Sequence, residues 1–218
     1  SKPVVVSVTD LNEAPTLING QNSLSLSIPE GSGAMTIPAT WDRTYGGSGF
    51  EEVGDSIPTP DGGYLFVGTS DSNATGDKSQ ASRGGKDFWA VKVDVSGNKI
   101  WDKRFGGSGE DLCYSVVPTS DGGYLLAGSS DSPADGDKSQ ESRGLEDMWI
   151  VKIDQNGTKL WDKRYGGNVE DSCSHAIALQ DGGFLLTGGS RSFAGLDKTE
   201  SRHGGHSDVW VVRIDESG

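Results

Sequence analysis

The 218-residue chain carries 32 Asp and Glu against 19 Lys and Arg, a formal net charge of −13, with 33 glycines and 33% hydrophobic residues. Phosphate recognition needs clustered Lys and Arg, and anionic lipid attracts basic segments. The acidic balance therefore argues against nucleic acid as a partner and against attraction to anionic lipid, and it suits oxygen-ligated cations such as calcium. No apolar run reaches the ~20 residues of a membrane-spanning helix, while Trp, Tyr, Phe, Val, Ile and Leu are spread evenly enough to build a core.

The first forty residues differ from the rest. "KPVVVSVTD" (2–10) has the alternation of a strand and begins at the very start of the chain, so the sequence reads as a segment of a longer protein with any export signal upstream. The strand runs into Asp10, Asn12 and Glu13, then Pro15, and "SLSLSIPEGSGAMTI" follows with Glu30 in its Pro-Glu turn. From residues alone this is an acidic interdomain linker stopped by a proline. It also resembles the boundary between cadherin-like modules of bacterial adhesins. That resemblance implies calcium shared by Asp10, Asn12, Glu13 and Glu30, since hard cations take six to eight oxygens. On this reading 1–15 ends one such module, and 16–40 is a linker and strand leading onward.

From Trp41 the chain repeats. "WDRTYGG" (41–47), "WDKRFGG" (101–107) and "WDKRYGG" (161–167) divide it into units 41–100, 101–160 and 161–218, the last with a net one-residue insertion before Trp210. Such a period signals a propeller, a solenoid or an array. The second unit predicts four strands: "CYSVVPT", "YLLAGSS", "DMWIVKID" and "TKLWDKRYG". "SDGG" and "QNG" form tight turns after the first and third strands, and a long polar loop, 131–146, follows the second. The third strand is apolar almost throughout, so both its faces should be covered.

These features predict an all-β fold of propeller-type blades, each of four antiparallel strands, with three repeats forming an incomplete ring. The alternative is a β-solenoid. Trp41, Trp101 and Trp161 become wedges between blades, and Gly106 and Gly107 let the chain pass close to its neighbour. Asp121 and Gly122 shape a turn. The unit resembles β-propeller repeats of bacterial surface and secreted proteins, on Gly106, Gly107, Asp111, Asp121, Gly122 and the closing "D-x-W-x-V-K-x-D" hairpin with Asp147, Trp149, Lys152, Asp154 and Gly157. The resemblance implies an extracellular or cell-surface location and is silent about activity.

Three blades are too few to close. The third unit stops before its fourth strand, and "MTIPATWDRTYGG" (35–47) is a fourth strand with no blade of its own. The expected partners are further repeats of the same chain or another copy, joined by strand addition at the unfinished edge.

Glu51, Asp111 and Asp171 recur, as do Asp61, Asp121 and Asp181, but a catalytic pair of carboxylates has to be unequal. With no serine elbow, phosphate loop or dinucleotide motif, the chain is read as non-enzymatic. The loops 70–87, 130–147 and 190–208 offer a ligand or calcium rim through Asp71, Asp77, Lys78, Arg83 and Asp87, repeated as Asp131, Asp137, Lys138, Arg143 and Asp147. Against this stands a solvated loop held by local Asp–Arg and Ser–backbone bonds. His203 and His206 could supply two metal ligands at most. The expected function is a structural or adhesive module. The alternative is a propeller that grips surface carbohydrate or protein through these loops. Cys113 and Cys173 are expected as two buried thiols.

Overall fold

The structure, a computed structural model, describes residues 41–218. The segments 1–15 and 16–40, with the calcium candidates Asp10, Asn12, Glu13 and Glu30, lie outside the described residues. Among the described residues there is no helix. Within 41–218 eleven strands form three antiparallel sheets of four, four and three strands.

Blade one is β1 (Glu51–Pro58), β2 (Tyr64–Ser70), β3 (Asp87–Val93) and β4 (Lys99–Phe105). Blade two is β5 (Asp111–Pro118), β6 (Tyr124–Ser130), β7 (Asp147–Ile153) and β8 (Lys159–Tyr165). Blade three holds β9 (Asp171–Ala178), β10 (Phe184–Ser190) and β11 (Asp208–Ile214). Within each sheet the strands meander in sequence order, which matches the expected blades; a solenoid would pair its strands in parallel between coils. The first strand of blade two starts at Asp111, two residues before the expected "CYSVVPT", and a bulge between Cys113 and Ser115 shifts its register.

Glycine closes the tight turns. Gly122 sits at φ +85 and Gly157 at φ +79, while the neighbouring Asp121 and Asn156 keep negative φ. In the second turn Asp154 Oδ1 accepts from the amides of Asn156 and Thr158, both at 2.8 Å, so the aspartate fixes the loop through its own backbone.

The blades meet face to face through alternate residues of each strand. On β7, Trp149, Val151 and Ile153 point to blade one, and Met148 and Ile150 to blade three. Phe88 of blade one packs on Trp149 with ring centroids 4.8 Å apart. Burying side chains of this size contributes about 1.5–3 kcal/mol each. The first strands of neighbouring blades also bond to one another: Val116 N donates to Asp55 Oδ2 at 3.0 Å, and Ala176 N to Ser115 Oγ at 3.2 Å. Cys113 and Cys173 are free, buried thiols in the first and second seams respectively.

Candidate functional site

The polar loops between the second and third strands of each blade hold the sequence's ligand candidates. The end of β4 and the start of β5 bring Gly106, Gly107 and Asp111 against the loop of blade two. Asp111 Oδ2 accepts from Gly107 N at 2.8 Å and from Ser132 Oγ at 2.9 Å. Asp171 repeats this with Gly167 N and Ser192 Oγ, both at 2.7 Å.

Asp137 sits at the hub of the seam. Its Oδ2 lies 2.7 Å from Arg83 Nη1 and 3.4 Å from Arg104 Nη1, both of blade one, and accepts from Gly106 N at 3.3 Å. Asp197 occupies the same place in the next seam, with Arg143 at 2.7 Å and Arg164 at 3.3 Å. Arg83 and Arg143 are thus ion-pair donors from one blade to the next. Asp71 Oδ1 and Asp131 Oδ1 accept from the amides of Phe50 and Glu110, each at 2.6 Å, and tie the loop to the approach to the first strand. In blade three Arg191 replaces this acid, and its guanidinium pairs at 2.7 Å with Glu170.

Four members of the expected rim, two from each of the first two blades, stand inside the fold. Lys138 is 3% exposed, its Nζ donating to Ser132 O at 2.7 Å and to Ser142 Oγ, and burial lowers its pKa. Lys78 makes the same bonds to Ser72 O and Ser82 Oγ. Asp87 and Asp147 are fully buried, each accepting one backbone amide, from Arg83 and Arg143. Burial raises both carboxyls, Asp87 to about 6. Their Oδ1 atoms have no hydrogen-bond partner and lie against Gly106 and Gly166.

Asp121 Oδ1 accepts from Thr119 Oγ1 at 2.5 Å and Gly123 N at 3.2 Å, and its Oδ2 lies 2.7 Å from the buried Lys152 Nζ. The Lys152 and Thr119 bonds hold its carboxyl at about 2. Trp101 and Trp161 are half-buried, their rings beside Gly157 and Gly218, and Trp41 lies beside Gly97. The deepest indole is instead that of strand three, Trp149, at 0% exposure. Sequence reasoning passed over its partner. Asp162, directly after Trp161, accepts from Trp149 Nε1 at 3.1 Å, Ser139 N at 2.8 Å and Lys159 Nζ at 2.7 Å. Asp102 holds Trp89, Ser79 and Lys99 in the same way. The signal was the invariant Asp after each repeated Trp in "WDKR" and "WDRT".

His203 Nδ1 lies 3.3 Å from Asp208, and among the described residues no group of three or more His, Cys, Asp or Glu is placed to hold a metal. The chain is weakly similar to a solved protein of unknown function from Bacteroides caccae, with a TM-score of 0.36 and 15% identity. That likeness covers 64% of this chain and 39% of the other, so the chain spans well under half the length of that protein. No protein-family model and no curated protein matches the chain.

Proposed function

We propose that this chain is a non-enzymatic structural or adhesive module of a large extracellular or cell-surface protein, one that assembles by adding a strand to its incomplete third blade. The observation that carries the reading is Asp137, whose carboxylate joins Arg83 and Arg104 of the preceding blade instead of standing free at a rim. The same role falls to Asp197. Groups so engaged brace one sheet against another and leave little for a ligand. The repetition of each acid in successive blades also argues against a catalytic pair, which needs two unlike environments. In this proposal calcium held by Asp10, Asn12, Glu13 and Glu30 stiffens the segment that precedes the repeats.

The alternative, a propeller that binds surface polysaccharide or protein through loops 70–87, 130–147 and 190–208, draws support from Phe193, which is 48% exposed in the third loop. The guanidinium of Arg202 stands 4.8 Å over that ring, however, and covers one face of it. A glycan array separates the two readings. The structural reading expects no saturable binder, and a saccharide whose binding is lost in Asp131→Ala and Asp71→Ala would overturn it. Calcium is tested by heating with calcium and with chelator: the proposal expects a higher Tm with calcium, and an unchanged Tm removes that part.

A further inference from the structure

The two ends of the stack are unlike, and each has the form of one side of an interior seam. In the first seam Leu65, Val67, Phe88 and Ala90 of blade one meet the Trp149 face of blade two. In the second, Leu125, Ala127, Met148 and Ile150 of blade two meet Trp210, Val212 and Ile214 of blade three. The same positions on the far face of blade three are Leu185, Thr187, Val209 and Val211. Val209 is 82% and Val211 51% exposed there. At the other end blade one presents the Trp face: Trp89, Val91 and Val93 with Phe66 and Tyr45. That face opens a cavity of about 470 Å³ lined in part by Trp41, Tyr45, Val53, Phe66 and Trp89.

The strands are mismatched in the same sense. Residues 41–47 lie against blade one as 101–107 lie against blade two. Asp77 N donates to Gly46 O at 2.8 Å, and Asp137 N to Gly106 O at 3.0 Å. Gly46 N and Gly106 N each approach the carboxylate of that aspartate at 3.3 Å. Yet 101–105 is paired to β3 in its own sheet, whereas 41–47 joins no ladder among the described residues. Among the described residues β11, conversely, has a neighbour only on its β10 side.

We propose that these ends join head to tail between two copies of the chain, the strand Trp41–Tyr45 of one completing blade three of the other. The inference rests on the structural-module reading and names its partner and register. In blade one the third-strand residues Phe88, Ala90 and Lys92 stand opposite Phe105, Lys103 and Trp101, and in blade two Met148, Ile150 and Lys152 stand opposite Tyr165, Lys163 and Trp161. Carried to blade three, this sets Val209 opposite the partner's Tyr45, Val211 opposite the partner's Arg43, and Arg213 opposite the partner's Trp41. The Val209 and Val211 face then closes over the Trp face as in both interior seams.

The charges fit as well. Arg83 and Arg143 each reach the aspartate of the following blade. In blade three His203 holds the backbone position of Arg83 and Arg143, its amide donating to Asp208 Oδ2 at 2.6 Å as theirs do to Asp87 and Asp147; the neighbouring Arg202, whose Nη1 donates to Gly205 O at 2.6 Å, supplies the guanidinium. The following aspartate would be the partner's Asp77. Trp210 stands where Trp149 does, and the partner's Asp42 would take its indole N–H as Asp162 takes that of Trp149. Such an interface is heterologous, and it closes into a ring when the rotation allows. Two copies of the three described blades give six, inside the range of about four to eight at which propellers close.

The test mixes an Arg43→Cys variant with a Val211→Cys variant under mild oxidation; paired residues on adjacent antiparallel strands lie about 4.5–5.5 Å apart at Cα, within disulfide reach. The native thiols are buried. The expected result is a cross-linked dimer, with Val209→Cys in place of Val211→Cys giving about tenfold less, and a two-chain mass by sedimentation. Arg202→Glu should weaken the dimer about tenfold, and adding Asp77→Arg should restore it. A one-chain mass at every concentration, or a cross-link indifferent to register, overturns the proposal. A monomer whose Val211→Cys thiol is shielded from reagent also overturns it, because the face is then covered within the chain. If a monomer still binds a peptide of residues 38–47 at β11, strand completion survives and the second copy falls. Ligand capture by the loops would instead count against the structural reading itself.

Discussion

The indole N–H of Trp149 donates to Asp162 Oδ2 at 3.1 Å, and the two residues are 0% and 6% exposed. This bond crosses the β7–β8 pair and holds the largest buried side chain of the first seam in one rotamer, with its ring against Phe88. Burial pushes the Asp162 carboxyl up, but Lys159, the Ser139 amide and the Trp149 indole together hold it below the usual carboxylate range. Asp162→Ala would strand the indole donor and the Ser139 amide, so we expect a loss of about 2–3 kcal/mol, read from the midpoint of urea unfolding. Asp42→Ala, at the equivalent but exposed position before blade one, should change stability by less than about 0.5 kcal/mol when the chain is dilute. Equal effects of the two substitutions would refute the role given to the bond.

Asp137→Ala should cost about 2–3 kcal/mol, because it leaves Arg104, whose side chain is 7% exposed, as a buried cation without its carboxylate. Arg83 is 38% exposed, and Arg83→Ala should cost less than about 1 kcal/mol. Chemical denaturation of the two variants side by side checks the ordering. A larger loss from Arg83→Ala would show that the exposed arm, not the buried one, holds the seam.

The glycines separate into two kinds. A Cβ on Gly106 would collide with Asp87 Oδ1 and come within 2.8 Å of Asp111 Oδ2, and those carboxylates are fully buried with nowhere to move. Gly106→Ala should therefore cost about 3 kcal/mol or more. Gly122 has open space around it, and there only the φ of +85 resists a side chain. Gly122→Ala should cost about 1–2 kcal/mol. Thermal unfolding of the two variants gives the comparison, and a milder effect at Gly106 would contradict the seam geometry.

The blades were legible in the sequence because their cues are local. Asp-Gly and Asn-Gly mark the hairpins, and a strand such as "DMWIVKI" with no polar face must be covered on both sides. The seam was less so. Arg83 and Asp137 are 54 residues apart, and nothing in a loop such as "SDSPADGDKSQESRG" tells whether its charges face water or the next sheet. The repeated Trp drew attention to itself, whereas the more deeply buried Trp149 and its acceptor Asp162 are joined only once β7 and β8 pair. Lys138 reads as a surface residue in any linear scan; its burial follows from loop closure onto the Ser132 carbonyl.

The buried acids give the seam a pH dependence of unusual sign. Burial raises the Asp87 carboxyl to about 6, with the charge of Asp111 adding to the rise and the Arg83 amide and Arg104 resisting it. A group whose folded pKa lies above its unfolded value stabilises fully below the unfolded pKa, here the ordinary 3.8, and that contribution is lost as pH rises through about 6. The depressed carboxyls, such as Asp121 at about 2, act oppositely, but their contribution is lost only as pH falls below the ordinary range toward 2. Between pH 7.5 and 5 the raised group therefore governs, and Asp87 alone should add about 1 kcal/mol on acidification. In Asp87→Asn the side-chain amide oxygen can take the place of the Asp87 Oδ2 that accepts the Arg83 amide, while the titrating proton is gone. The wild type should gain more stability than this variant between those two pH values, by about 1 kcal/mol in urea unfolding. Parallel pH profiles for the two proteins would mean that Asp87 stays ionised in the folded seam, and that the Arg104 guanidinium outweighs its burial.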